Sequence, residues 1–358
     1  MSELVNRFCE MVRIASESGN EEKFLGWLAR SWAADLGAAC EADGYGNLIA
    51  RLPDRDCPGE PILLCAHADT VKPGVGVEPV LEEGVIRAQG GTVLGADDKA
   101  GIAAIWFGIK AASRRPPLEI VITREEEVGL RGAKNLDTSR LTAKVGFVLD
   151  GEAFDEVVIG GPSHFLIDVT VHGKAAHAGT APEQGISAIK AAARAIARLP
   201  EGRIDHETTA NVGVIRGGEI RNGVPARAAV QAECRSLSHD KAVSLADLYR
   251  RAFEEEANAL GARAEVKVEL AYRAVRLAED EPAVLLAHRA LEALGLVPKP
   301  RLICGGTDAS ILNMRGIKCA VLGMGARAPH TPDEHIRVED LEFAVQLVKT
   351  LLELACPG

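Results

Sequence analysis

Residues 61–66, Pro-Ile-Leu-Leu-Cys-Ala, form an unbroken apolar run that stops on His67, with Asp69 two residues on. A strand with one wet face alternates apolar and polar residues. A run with no polar member needs cover on both faces, the situation of a strand inside an α/β sheet. "LEIVIT" at 118–123 and "VGFVLD" at 145–150 repeat the pattern, and "GNLIARL" at 46–52 approaches it. Between two of these lies "KAGIAAIWFGIKAA", a helix apolar enough to be buried, and before them "EEKFLGWLARSWAADLG" has helical spacing and ends on Gly37. Short apolar strands alternating with helices predict a sheet flanked by helices.

The middle of the chain changes character. "FLIDVTVHG" alternates like a half-buried strand, and "GISAIKAAARAIARLP" puts Ile186, Ile189, Ala193, Ile196 and Leu199 on one helical face before Pro200 stops it. "ANVGVIRGG" and "RAAVQAECRSL" follow, then the helical "LADLYRRAFEEEANALG" and the alternating "AEVKVELAY". The order β-α-β-β-α-β is the split-βαβ pattern of a small ferredoxin-like domain. From residue 281 the first style resumes, with a helix opened by Pro282, the strand "CAVLGM" and a closing helix from Val338. We therefore expect an α/β domain over 1–162 and 276–358, interrupted by an α+β domain over 163–275.

A chain of 358 residues carrying a net charge of −10, without a basic block, is not built to hold nucleic acid. "GIAAIWFGIKAA" is too short to span a bilayer. The amphipathic start "MSELVNRFCEMV" has no apolar signal core, and the eight cysteines include no Cys-x-x-Cys pair. These features predict a cytoplasmic protein with reduced thiols.

The apolar runs share a second property: they end in potential ligands. The run at 61–66 ends at His67 and Asp69, "LEIVIT" at Glu125, Glu126 and Glu127, and "VGFVLD" at Asp150, while "GADDKAG" brings Asp97 and Asp98 ahead of a helix. Ligands of α/β sheets bind at the carboxyl ends of strands. Carboxylates converging there repel one another and lose hydration unless a cation joins them. Carboxylates with imidazole, and no thiolate, suit zinc, manganese or cobalt. His67 can bind metal through one ring nitrogen while Asp69 accepts a hydrogen bond from the other. A lone His-x-Asp at a strand end is more often structural; three further acidic strand ends change the balance. Strand alternation does not choose among the three glutamates, because Glu125 and Glu127 would share a face.

The segments "HADTV", "LGADDKAG", "REEEVGLRGA", "VLDGE", "GGTDA" and "HTPDEH" occur in the order found in the M20 metallopeptidases, and the whole chain resembles the peptidase T (tripeptide aminopeptidase) branch of that family. The resemblance implies a zinc-peptidase-like catalytic domain with an inserted lid. It implies two divalent metal ions, zinc with manganese or cobalt also accepted, held by His67, Asp97, Glu127, Asp150 and His330. Asp97 would bridge the two metals and precede a cis peptide bond. Glu126 would be the general base and Asp69 the partner of His67. His330 fits the last ligand because Glu334 follows it by four residues; His335 reads as a surface or supporting residue.

In the inserted domain the resemblance makes His177, in "KAAHAGTAPE", the group that polarises a substrate carbonyl. Arg235 would grip a substrate carboxylate, with a surface ion pair as the plain alternative. Asn222 would touch substrate, although its Asn-Gly sequence equally makes a hairpin turn. Gly306 and Thr307 in "GGTDAS" would let the backbone approach substrate, or would simply lead into a helix that Thr307 or Asp308 caps.

The implied function is a dinuclear metal-dependent hydrolase of small peptides, with pairing of two copies through the inserted domain. "EEVGLRGA" also occurs in M42 aminopeptidases, and the M20 family includes deacylases and dipeptidases acting on N-acyl amino acids. A metal-binding regulator without catalysis would have no need of Glu126 or Asp69.

Overall fold

A computed structural model describes residues 2–357. Along the chain, α1 (Glu3–Arg13) and α2 (Glu22–Leu36) precede β1 (Ala39–Ala42), β2 (Leu48–Leu52) and β3 (Ile62–His67). The hairpin of β4 (Glu78–Glu82) and β5 (Val85–Gln89) leads to α3 (Ala96–Ala111), β6 (Leu118–Thr123), the short α4 (Arg131–Asn135), β7 (Val145–Gly151) and β8 (Glu156–Gly161). Then come β9 (Ser163–His172), α5 (Ala188–Arg198), β10 (Gly202–Asp205), β11 (Thr208–Gly217), β12 (Arg227–Ser236), α6 (His239–Ala259) and β13 (Arg263–Tyr272). The chain finishes with β14 (Val275–Arg276), α7 (Pro282–Ala293), β15 (Lys299–Leu302), α8 (Asp308–Met314), β16 (Lys318–Gly323), β17 (His335–Arg337) and α9 (Val338–Leu354).

The chain divides into two compact units. The first runs through Gly160 and takes up again at Arg276–Leu302 and from Gly306 on; the second holds Gly161–Val275 and Ile303–Gly305. The first unit is the α/β fold that its apolar runs predict. Its main sheet has the order β1-β2-β6-β3-β7-β16-β8-β14, with β15 added beside β8. Four neighbours, β6, β3, β7 and β16, are mutually parallel, while β2 joins β6 and β8 joins β16 antiparallel. Every residue of β3 and β6 is buried, as a strand covered on both faces requires. Trp32, Trp106, Phe8 and Phe24 form the aromatic part of the core around α1, α2 and α3, and α9 packs along α3.

Local chemistry explains the element ends. Ser2 caps α1 through Val5 N, Gly37 ends α2 in the left-handed conformation at φ 68°, and Pro282 opens α7. A small second sheet, β17-β5-β4, sets the residues before β17.

The second unit is a five-stranded antiparallel sheet of order β10-β11-β12-β9-β13, with α5 and α6 packed on it. The alternation read along 165–173 is real: Phe165, Ile167, Val169 and Val171 are buried against the helices, and Leu166 and Asp168 are exposed. β10 is a short strand beyond the six-element pattern.

One sequence expectation needs correcting. Cys57 and Cys356 are joined in a disulfide, with Cα atoms 5.7 Å apart, so the thiols are not all reduced. Among the described residues no helix is long and apolar enough to cross a membrane.

Candidate active site

The parallel order β6-β3-β7-β16 places the carboxyl ends of four strands side by side. β3 delivers His67 from the centre. β6 delivers the three glutamates on one side, β7 delivers Asp150 on the other, and the segment after β16 carries His330. Asp97 and Asp98 come from the start of α3, where both residues depart from helical geometry and the bond between them is cis.

His67 is 2 % exposed. Its Nδ1 lies 2.9 Å from the carbonyl oxygen of Asp69 and 3.5 Å from the Asp69 carboxylate. The carbonyl is the hydrogen-bond partner, and because a carbonyl only accepts, Nδ1 carries a proton. β3 ends at His67, so Asp69 lies past the strand, and its carboxylate turns mainly to other work. It accepts from the amides of Glu126 at 2.9 Å and Glu127 at 3.2 Å and from the Ser18 hydroxyl at 2.8 Å. Burial pushes the Asp69 carboxyl up, but the His67 imidazole and these donors hold it below its usual range.

The other nitrogen, Nε2, faces Asp97 Oδ1 at 3.2 Å and Asp150 Oδ1 at 3.8 Å. The second Asp97 oxygen lies 3.3 Å from Nε2 of His330, which also contacts Glu127 Oε1 at 2.8 Å. Asp97 thus touches both histidines, one oxygen to each. Burial raises its carboxyl, yet the hydrogen bonds from His330 and His67 outweigh that and hold it far below the ordinary carboxylate range. The same contacts with Asp97 and Glu127 push His330 up to about 10.

Behind this pair of histidines the charge is uncompensated. Burial, and then the neighbouring Asp150 carboxylate, push Glu126 and Asp98 well above their usual range; burial and Asp97 do the same to Asp150. Burial and mutual repulsion of crowded carboxylates, the causes of these upward shifts, are what a divalent cation among them relieves. Two sets of donor atoms, His67 with Asp97 and Glu127, and His67 with Asp98 and Asp150, each gather within 4.8 Å. The donors are oxygen and imidazole nitrogen, so the residues fit the implied metals.

Glu334, four residues past His330, is buried and accepts from the amides of Gly95 at 2.7 Å and Asp97 at 2.9 Å. The histidine segment thereby holds the backbone of the aspartate that its own imidazole touches. His335 lies in β17 with Nδ1 against the carbonyl of Asp333.

Gly306 and Thr307 lead into α8; Thr307 is the N-cap residue, but its side chain makes no capping bond. The neighbouring Asp308 carried no role in the sequence reading beyond capping. It is 1 % exposed, bonded to the Thr123 hydroxyl at the end of β6, and burial pushes its carboxyl up to about 6. Its place in "GGTDA" was the available signal. Asp98, present in the "DDK" segment but given no role, accepts from the amides of His67 at 3.1 Å and Gly101 at 3.1 Å.

His177, Asn222 and Arg235 belong to the second unit. His177 is exposed, and its Nδ1 accepts from the amides of Gly179 at 3.1 Å and Thr180 at 3.2 Å. That leaves the ring proton on Nε2, a donor. The Asn222 carbonyl accepts from Ala178 N at 2.9 Å, so the two segments lie together and line a cavity of about 710 Å³. Arg235 bonds Glu233 at 3.0 Å, and Glu233 bonds His164 at 2.7 Å.

The chain is similar to known peptidases. Residues 164–260 match the family model described as a peptidase dimerisation domain. The chain is similar to the crystal structure of aminopeptidase PepT from Bacillus cereus, at 38% identity and a TM-score of 0.88 over 98% of this chain and 97% of that one. It is similar to a tripeptidase from Staphylococcus aureus, at 33% identity and a TM-score of 0.92 with the same coverage. The peptidase T of Vibrio cholerae is 28% identical over 87% of this chain and 85% of its own length.

Proposed function

Because the chain belongs to the M20 family of metal-dependent peptidases, we propose that it is a dinuclear aminopeptidase that releases the N-terminal residue of short peptides, tripeptides among them. The observation that carries this reading is the position of Asp97, one oxygen against His67 and the other against His330. One metal would take His67, Asp97 and Asp150; the second would take Asp97, Glu127 and His330. Zinc, manganese and cobalt all suit these donors. When bound, such ions supply Lewis acidity to water and to a carbonyl oxygen.

The chain's own residues do the rest. Asp69 accepts the amides of Glu126 and Glu127, which fixes where the two carboxylates leave the backbone. Glu126, burial-raised in pKa, takes a proton from the attacking water at its carboxylate and returns it to the leaving amine. The proton that His67 donates to the Asp69 carbonyl keeps Nε2 as its ligand atom. His177 with Nε2–H as carbonyl donor, and Asn222, Arg235, Gly306 and Thr307 as substrate contacts, are assigned from the family motifs. The match of 164–260 to a dimerisation domain supports pairing of two copies through the second unit.

Glu126→Ala tests the reading. It should bind as much metal as the parent, by elemental analysis, and lose about 10²–10⁴-fold in turnover of a tripeptide. Parent-like turnover in this variant would remove Glu126 from its role. A parent enzyme that cleaves N-acyl amino acids, and not peptides with a free amino terminus, would move the assignment to a deacylase.

A further inference from the structure

We propose that Asn47 and Glu21 are positioning residues for the reaction, holding the segment that carries Glu126 and Glu127; the proposal rests on the role given to Glu126 above. β6 ends at Thr123, and the next four amides have no ladder partner. Each is taken by a side-chain oxygen from elsewhere in the first unit. Asn47 Oδ1 accepts Arg124 N at 3.0 Å, Glu21 Oε1 accepts Glu125 N at 3.1 Å, and the two Asp69 oxygens accept Glu126 N and Glu127 N. Asp69 was legible in the sequence; Asn47 and Glu21 were not.

Both newcomers are fully buried and are themselves held. Asn47 Nδ2 donates to Asp43 Oδ2 at 2.8 Å and to the Gly132 carbonyl at 3.0 Å. Glu21 Oε2 accepts from Arg124 Nε at 2.9 Å, and Arg124 Nη2 lies 2.9 Å from the same oxygen. The glutamate loop also closes on itself, with Gly132 N donating to the Arg124 carbonyl at 2.8 Å and Arg131 N to that of Glu125 at 3.0 Å. At this neck a Cβ on Gly132 would lie 2.3 Å from the Arg124 carbonyl oxygen and 2.6 Å from Asn47 Oδ1. Asn47 therefore joins both ends of the loop, and only glycine fits between them.

A loop that merely turned could satisfy its amides with its own carbonyls or with water. Here the acceptors are rigid, buried and drawn from three separate segments. They bring Glu125 to a left-handed φ of 51° and so rotate the next two residues out of strand alternation. This geometry selects which glutamate faces which partner. Glu125 bonds Tyr45 and Arg131, while Glu127 reaches His330. Displacing a catalytic carboxylate by an ångström is enough to slow chemistry without weakening substrate binding.

The test compares the metal-loaded full chain with Asn47→Ala, Gly132→Ala, Glu21→Gln and Glu21→Ala. We expect Asn47→Ala and Gly132→Ala to lower kcat by about 10–100-fold with KM within about twofold of the parent, each variant compared at full metal loading. Hydrogen exchange at the amides of Glu126 and Glu127 should quicken about tenfold or more while β7 amides keep their rates. Glu21→Gln, which retains an amide-accepting oxygen, should keep more turnover than Glu21→Ala. Variants that melt earlier yet turn over normally per folded, metal-loaded molecule would overturn the proposal, as would unchanged exchange at 126 and 127. A parent without peptidase activity would overturn the function above, and the exchange rates would still decide whether these residues hold the loop.

Discussion

Neighbouring glutamates meet different partners, Glu125 with Tyr45 and Arg131 and Glu127 with His330, and the cause lies in residues far from them in sequence. His67, Glu127 and Asp150 stand out in the sequence because they follow apolar runs, and sheet topology brings those parallel strand ends together, whereas Asp97 and His330 rest on the motif resemblance. The register of Glu125–Glu127 was not legible from alternation, because the strand stops at Thr123 and the oxygens that fix the turn come from positions 21, 47 and 69. Asp308 escaped for a similar reason: its partner is Thr123, across the fold. In the second unit, Glu233 gives a pH prediction. Hydrogen bonds from His164, then Arg235, outweigh partial burial and lower its carboxyl from 4.5 to about 2. A depressed folded value means that the stabilisation is complete above pH 4.5 and fades as pH falls toward 2. Thermal melting followed across that window should show a shallower acid decline in Glu233→Gln than in the parent. Identical slopes would show that the ion pair adds nothing.

Among elements, long apolar or alternating segments were read correctly and short ones were missed. β10, the β4–β5 hairpin and α4 are each brief, and tertiary contacts rather than local pattern establish them. β17, three residues paired with β5, fixes the approach of Glu334 and could not be seen in sequence. Packing between α3 and α9 yields a contrast of two glycines. A Cβ on Gly108 would sit 2.6 Å from Val348 Cβ, inside the closest approach of real side chains. Overpacking costs about 1–3 kcal/mol and exceeds the roughly 1 kcal/mol that alanine gains in a helix. Gly108→Ala should therefore lower stability in urea denaturation. On α2, a Cβ on Gly26 would come no nearer than 3.6 Å, to the flexible Arg30 guanidinium. Gly26→Ala should raise stability by about 0.5–1 kcal/mol. A gain in both variants would show that α9 yields readily.

For the whole molecule, the strongest covalent statement is the bridge between Cys57 and Cys356, 299 residues apart. It fastens the segment after α9 to the loop ahead of β3. Reduction, or Cys356→Ser, should cost about 2–5 kcal/mol in unfolding experiments. Equal urea midpoints with and without reductant would mean that packing alone holds this end. The two-unit plan was legible because the change from unbroken to alternating strands is a change in how sheets are covered. The disulfide was not, since spacing along the chain says nothing about which cysteines meet. β16 sits between β7 and β8, and α9 lies on α3, so the first unit is built from both ends of the chain. During synthesis on the ribosome, then, the segment that emerges first must wait for the last to arrive, while the intervening unit, apart from Ile303–Gly305, is complete earlier.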